Sequence, residues 1–197
     1  MNHTRYQKCF FWVGVPSSAK STFSMMVRRF CGEENVSSVE LDDLGKRFGL
    51  AGLVNKTLNI VPDIKETKLF ASGLFKALVG GDAVRIEQKY REAFDYVFTG
   101  KMIFGMNLFP DFSADFEGIE RRLVILKFER VYKPTDPDYN PNIDDDLSTD
   151  EAMSALLNRA ISGYKSLIQN KGFLETRKSK QQMAAFVSEN DSVVAWV

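Results

Sequence analysis

The segment Gly14-Val15-Pro16-Ser17-Ser18-Ala19-Lys20-Ser21 follows the pattern G-x-x-x-x-G-K-[ST], with alanine in place of the second glycine. A loop of this kind does one thing well: its backbone amides, together with the positive end of the helix it opens, face an anion such as a phosphate. Lys20 is then placed to reach β- and γ-phosphates, the Ser21 hydroxyl to hold Mg²⁺, and Thr22 to support the first helical turn. Gly14, Ser17, Ser18, Ala19, Lys20, Ser21 and Thr22 are therefore the candidate ATP-binding residues. The departure is Ala19. If that position needs positive φ, alanine costs on the order of 1–2 kcal/mol there and crowds the phosphate.

A second candidate lies in Asn59-Ile60-Val61-Pro62-Asp63, an apolar run that ends in a carboxylate. At the C-terminal edge of a strand, such a carboxylate can reach Mg²⁺ or orient an attacking water. Other chemistries have little material. His3 is the only histidine, which removes histidine triads and multi-histidine metal sites. Cys9 and Cys31 stand 22 positions apart, with no signal peptide before them, and give neither a disulfide framework nor a paired-ligand zinc pattern; a reducing cytoplasm suits them. Lys plus Arg number 26 and Asp plus Glu 26, so a polyanion has to be held by a local basic surface and not by the overall field. The longest apolar run, Cys9 to Val13, is far short of the roughly 20 residues that cross a bilayer, so no membrane partner is expected.

The loop needs a strand before it and a helix after it. Residues 8–13 (KCFFWV) read as a strand buried on both faces, and residues 21–31 place Phe23, Met26, Val27 and Phe30 at helical spacing before Gly32. Leu58–Val61 reads as a second strand, and residues 66–79 as a helix stopped by Gly80-Gly81. Residues 83–98 fit an antiparallel hairpin or a broken helix, while 101–106 (KMIFGM) and 123–128 (LVILKF) are strand-like. Four core strands with intervening helices predict a three-layer αβα domain with a mainly parallel sheet. At 197 residues with 44% apolar composition, the chain suffices for one such domain and an appendage. The divisions expected are a core at 1–130, an acidic solvated linker at 131–148 and a C-terminal helical segment at 149–197. Within the last, residues 149–171 are amphipathic, with Thr149 as N-cap and Gly172 as stop.

The remaining motifs come in a telling order. After Asp63 comes Gly80-Gly81-Asp82 with Ile86-Glu87-Gln88-Lys89-Tyr90, then a strand ending in Asn107-Leu108-Phe109-Pro110, then Gly118-Ile119-Glu120-Arg121-Arg122 before the last strand. From about Phe10 to Phe128 this resembles the helicase domain of phage and plasmid primase-helicases, members of helicase superfamily 3 within the AAA+ ATPases. The resemblance makes the loop motif A, puts Asp63 in motif B, and likens the 81–89 region to the B-prime motif. It also likens Asn107 to the motif C asparagine that senses the γ-phosphate. The arginine pair matches an arginine finger acting on the neighbouring subunit's ATP; Arg122, nearest the strand, is favoured over Arg121. Two departures stand beside Ala19: Asp63 has Ile64 and Lys65 as neighbours where the family often has two acids, leaving Asp63 alone or helped by Glu66, and the family's N-terminal primase or collar segment is missing.

The resemblance implies a ring-forming motor, hexameric, that uses ATP and Mg²⁺ to move on single-stranded DNA in the replication of a phage, plasmid or mobile element. Lys89, with Lys76 or Arg85, is then expected to touch DNA phosphates, and primase or other replication proteins are further partners. Two other readings stay open: a non-catalytic initiator or loader that binds nucleotide to set its assembly, and a small-molecule phosphotransferase that ignores DNA.

Overall fold

The computed structural model describes residues 5–64, 72–109, 116–174 and 176–190. The fold is mixed α/β, as the sequence predicts, with a parallel sheet at its centre. β1 (Cys9–Val13) is an interior strand of it: Phe11 is fully buried and Trp12 and Val13 nearly so, which is why this stretch has no polar alternation. β1 pairs in parallel with β6 (Lys101–Met106) on one side and β7 (Leu123–Lys127) on the other. β3 (Leu58–Val61) pairs with β6, and β2 (Val36–Ser37) pairs with β3. The sheet order is thus β2-β3-β6-β1-β7, all parallel. Five strands form it where the sequence predicted four; β2 is two residues long and leaves no periodicity to read.

Helix α1 (Lys20–Cys31) follows the loop and ends at Gly32, whose φ of 81° only glycine adopts cheaply. Its first turn is fixed to the sheet by an aromatic cluster: Phe23 lies 5.0 Å from Trp12 and 6.1 Å from Phe128, ring centre to ring centre. α2 (Ser72–Gly80) accounts for the later part of the helix predicted over 66–79; residues 65–71, Glu66 among them, lie outside the described residues. The ambiguous stretch at 83–98 resolves as an antiparallel hairpin, β4 (Ala83–Ile86) with β5 (Phe94–Val97). Val84 and Ile86 of β4 turn inward while Ala83 and Arg85 turn out, the period of two that a half-buried strand requires.

After α3 (Phe116–Glu120) and β7 come α4 (Ile143–Asp146), α5 (Asp150–Gln169) and α6 (Arg177–Asn190). Thr149 caps α5 as expected, its hydroxyl accepting the Ala152 N–H at 3.2 Å. The helix stops two residues earlier than predicted, because Lys171 takes the left-handed turn at φ 53° in place of Gly172. α6 ties the helical segment to the core: its Phe186 is fully buried, 4.7 Å from the ring of Phe109. No helix among the described residues is long and apolar enough to cross a membrane.

Candidate functional site

Strand β1 delivers the chain to the sheet's C-terminal edge at Gly14. The Gly14 N–H donates to the Met106 carbonyl at 3.1 Å, and a side chain at residue 14 would collide with the Phe128 carbonyl, 2.5 Å from where its Cβ would stand. From there the loop turns over the strand ends with two non-glycine residues in the left-handed region, Ser17 at φ 62° and Ala19 at φ 67°. The conformation that the glycine of the pattern would supply is therefore present, carried by alanine.

Lys20 and Ser18 are buried, and the Lys20 ammonium is turned into the loop. It donates to the carbonyls of Gly14 and Val15, to the Ser18 hydroxyl and, at 3.1 Å, to the side-chain oxygen of Asn107. Burial pushes its pKa below the usual lysine range, and the carboxylate of Asp63 opposes that shift. Asp63 follows β3 and Asn107 follows β6, so parallel pairing brings both to the edge where the loop stands. Gly105 permits the approach, since a Cβ there would lie 2.0 Å from the Pro62 carbonyl. Ser17, Ser18, Ala19, Lys20, Ser21, Thr22, Asp63 and Asn107 all line one open cavity of about 940 Å³.

The opposite wall of that cavity lies in the stretch expected to be a solvated linker. Tyr132, Pro134, Asp138, Tyr139, Ile143 and Asp144 line it together with the phosphate loop. The segment is largely exposed, as its charge suggested, yet it is bonded in place: the Tyr132 N–H donates to the Ser17 carbonyl at 2.9 Å. Sequence reading missed it because acidic, proline-broken composition carries no periodicity; the tyrosines and prolines were the only signal.

Arg121 and Arg122 stand elsewhere. The Arg122 carbonyl accepts the Cys9 N–H at 2.7 Å, which puts the pair at the N-terminal edge of the sheet, a strand's length of about 17 Å from the loop at about 3.3 Å per residue. Neither can serve this chain's own loop. Arg122, favoured from the sequence, is buried: one guanidinium nitrogen donates to the Gly118 carbonyl at 2.6 Å, and Nε finds no acceptor among the described residues. Burial and the neighbouring Arg121 lower its pKa, with Asp82 opposing. Of the two, Arg121 is the one whose side chain is exposed at that edge.

The three residues expected at DNA lie on two elements, Lys76 on α2 and Arg85 and Lys89 on the β4–β5 hairpin. Lys89 is exposed in the turn of the β4–β5 hairpin. Arg85 faces Asp95 across that hairpin and pairs with it at 3.3 Å. Lys76, on α2, is half-buried against α3, its chain 2.9 Å from where a Cβ on Gly118 would stand. Next to Lys89, Tyr90 is wholly exposed at φ 60°, an aromatic that the sequence reading passed over.

The central parallel sheet, with a phosphate loop at the C-terminal end of an interior strand and a five-strand order of β2-β3-β6-β1-β7, defines the class: a phosphate-loop α/β domain. Within it, the chain belongs to the family described as a family of unknown function (DUF5906), which it matches over residues 12–122. Among solved structures, an apo form of the NrS-1 C terminal region superposes with a TM-score of 0.61 at 16% identity, over 76% of this chain and 35% of that one. A second, of residues 305–718, gives 0.61 at 15%, over 77% and 36%. A JCV helicase gives 0.45 at 14%, over 79% and 42%. The chain spans about a third of the length of the NrS-1 chains it matches.

Proposed function

We propose that this chain is the ATPase core of a replication helicase, a motor that hydrolyses MgATP at the phosphate loop and moves on single-stranded DNA as a ring. The observation that carries the reading is the convergence of Lys20, at the start of α1, with Asp63 and Asn107, from two strand ends, on one cavity with the loop.

The residues fit Mg²⁺. Ser21 and Asp63 offer hard oxygen donors on that cavity, and no cluster of three acidic, His or Cys residues exists among the described residues to hold a metal without a ligand's phosphates. Charge argues the same way. Asp138 is paired with Arg130 and Glu129 with Lys178, which leaves Asp63 and Asp144 against Lys20 on the cavity wall. A bare triphosphate meets a net negative wall; bound Mg²⁺ relieves the repulsion and polarises the phosphoryl oxygens. Lys20 exchanges its loop carbonyls for phosphate oxygens, and Asp63 orients the attacking water. Asn107, bonded to Lys20, is placed to report whether a γ-phosphate is present.

Arg121 acts in trans. Exposed at the far edge of the sheet, it supplies positive charge to a neighbouring copy's site, so turnover depends on assembly into a ring, hexameric by the resemblance, and that stabilisation is worth about 10³–10⁵ in rate. Lys89 with Tyr90 at the hairpin turn offers a phosphate contact beside a stacking face, a sequence-tolerant grip on single-stranded DNA. Primase or other replication proteins are the further partners. DNA-stimulated ATP turnover, lost in Lys20→Ala, tests this reading.

A further inference from the structure

The segment 129–147 is held like a strap across the mouth of the phosphate loop. At its start, the Tyr132 N–H bonds the Ser17 carbonyl of the loop at 2.9 Å. At its end, α4 packs on α1 and the Ser148 hydroxyl sits 3.7 Å from the Met25 sulfur. Between these anchors the strap is tied to itself: Arg130 pairs with Asp138 and lies 4.7 Å over the Tyr132 ring, and the Lys133 N–H donates to Asp136 at 2.9 Å. Tyr132 and Tyr139, with Pro134 and Pro141 beside them, line the cavity that the loop shares. An aromatic and apolar wall facing a phosphate-binding wall is what a nucleotide requires, since one end of it is a polyanion and the other a flat π-system.

We propose that the strap is the nucleoside-binding wall of this site and that it grips the base by stacking, tolerating adenine and guanine alike. The inference rests on the phosphate-loop reading above and adds the base to it. The reason for tolerance lies in how the strap spends its polar groups. The Asn140 amide is oriented locally, its oxygen accepting the Asn142 N–H at 2.9 Å and its nitrogen donating to Asp146 at 2.7 Å. Asp138 is committed to Arg130. Asp144 offers an acceptor on the cavity wall, and adenine and guanine both meet an acceptor with an exocyclic amine. Discrimination between purines needs groups arranged against one base edge, and the strap keeps those groups for its own shape.

The test measures dissociation constants in Mg²⁺ for ATP, GTP and inorganic tripolyphosphate on the wild-type chain, Tyr139→Ala, Tyr139→Phe and Lys20→Ala. The expected result is ATP and GTP within about threefold of each other, and a rise of about tenfold for both in Tyr139→Ala, the scale of one lost stacking contact. Tripolyphosphate binding stays within about twofold of wild type in that variant, and Tyr139→Phe restores ATP binding. Unchanged ATP affinity in Tyr139→Ala, or equal weakening of ATP and tripolyphosphate, overturns the strap's role, and a preference above about thirtyfold for one purine overturns its tolerance. The underlying phosphate reading fails separately, if Lys20→Ala leaves tripolyphosphate binding intact.

Discussion

Replacing Ala19 by glycine should make this protein more stable, against the usual direction of such a change. Ala19 sits at φ 67°, ψ 14°, at the N-cap of α1 with no side-chain capping bond to lose. A non-glycine residue there carries about 1–2 kcal/mol of steric strain between Cβ and the following carbonyl. Glycine removes it, while loosening the unfolded chain by about 0.4–1 kcal/mol. The difference is a gain of about 0.5–1 kcal/mol, which for a domain of this size raises the melting temperature by about 1–4 °C. At an ordinary helical position the same substitution would lower stability by about 0.5–1 kcal/mol, so the sign alone is diagnostic. Where free and nucleotide-bound protein share this loop conformation, strain relief acts on both states and ATP affinity changes less than about threefold from this cause. Urea-induced equilibrium unfolding with thermal melts is the assay. A fall in stability would refute the left-handed geometry at Ala19 and with it the claim that alanine stands in the glycine's conformation.

The arginine pair should separate by phenotype: Arg121→Ala lowers ATP turnover by 10³ or more in assembled protein while leaving the melting temperature and ATP binding near wild type, as measured by steady-state hydrolysis and equilibrium binding. Arg122→Ala lowers the melting temperature instead, because it empties a buried position and leaves the Gly118 carbonyl without its guanidinium donor. At the hairpin, Tyr90→Ala weakens single-stranded DNA binding by about 1–3 kcal/mol with little change in salt dependence, while Lys89→Ala shallows the salt slope by about 0.7; fluorescence anisotropy across a salt series distinguishes the two.

Much of this was legible in the residues, and the parts that were not share a cause. β1 and the phosphate loop announce themselves because burial on both faces removes polar alternation and because the loop's chemistry fixes residue types at set spacing. Asp63 and Asn107 could be placed at strand ends from Val61 and Met106, and the parallel sheet does bring them to Lys20. The arginines were harder: sequence position puts both at the same sheet edge, but only packing shows that Arg122 turns in toward Gly118 while Arg121 faces out. The strap was hidden more fully. Its shape is held by short-range pairs such as Arg130 with Asp138 and Asn140 with Asp146, which leave no repeating pattern, and its placement rests on long-range contacts, Tyr132 with Ser17 and Ser148 with Met25. The hairpin at 83–97 was ambiguous for a related reason, since its two strands are only four residues each, too short for periodicity to decide.

The most direct test of the motor reading is steady-state MgATP hydrolysis at high protein concentration, with and without single-stranded DNA, for the wild type and Lys20→Ala. Turnover should rise with protein concentration and with DNA and fall to background in the variant. Turnover that is absent under every condition, or that persists in Lys20→Ala, would contradict it; in the first case a nucleotide-binding module that sets assembly without hydrolysis becomes the better description.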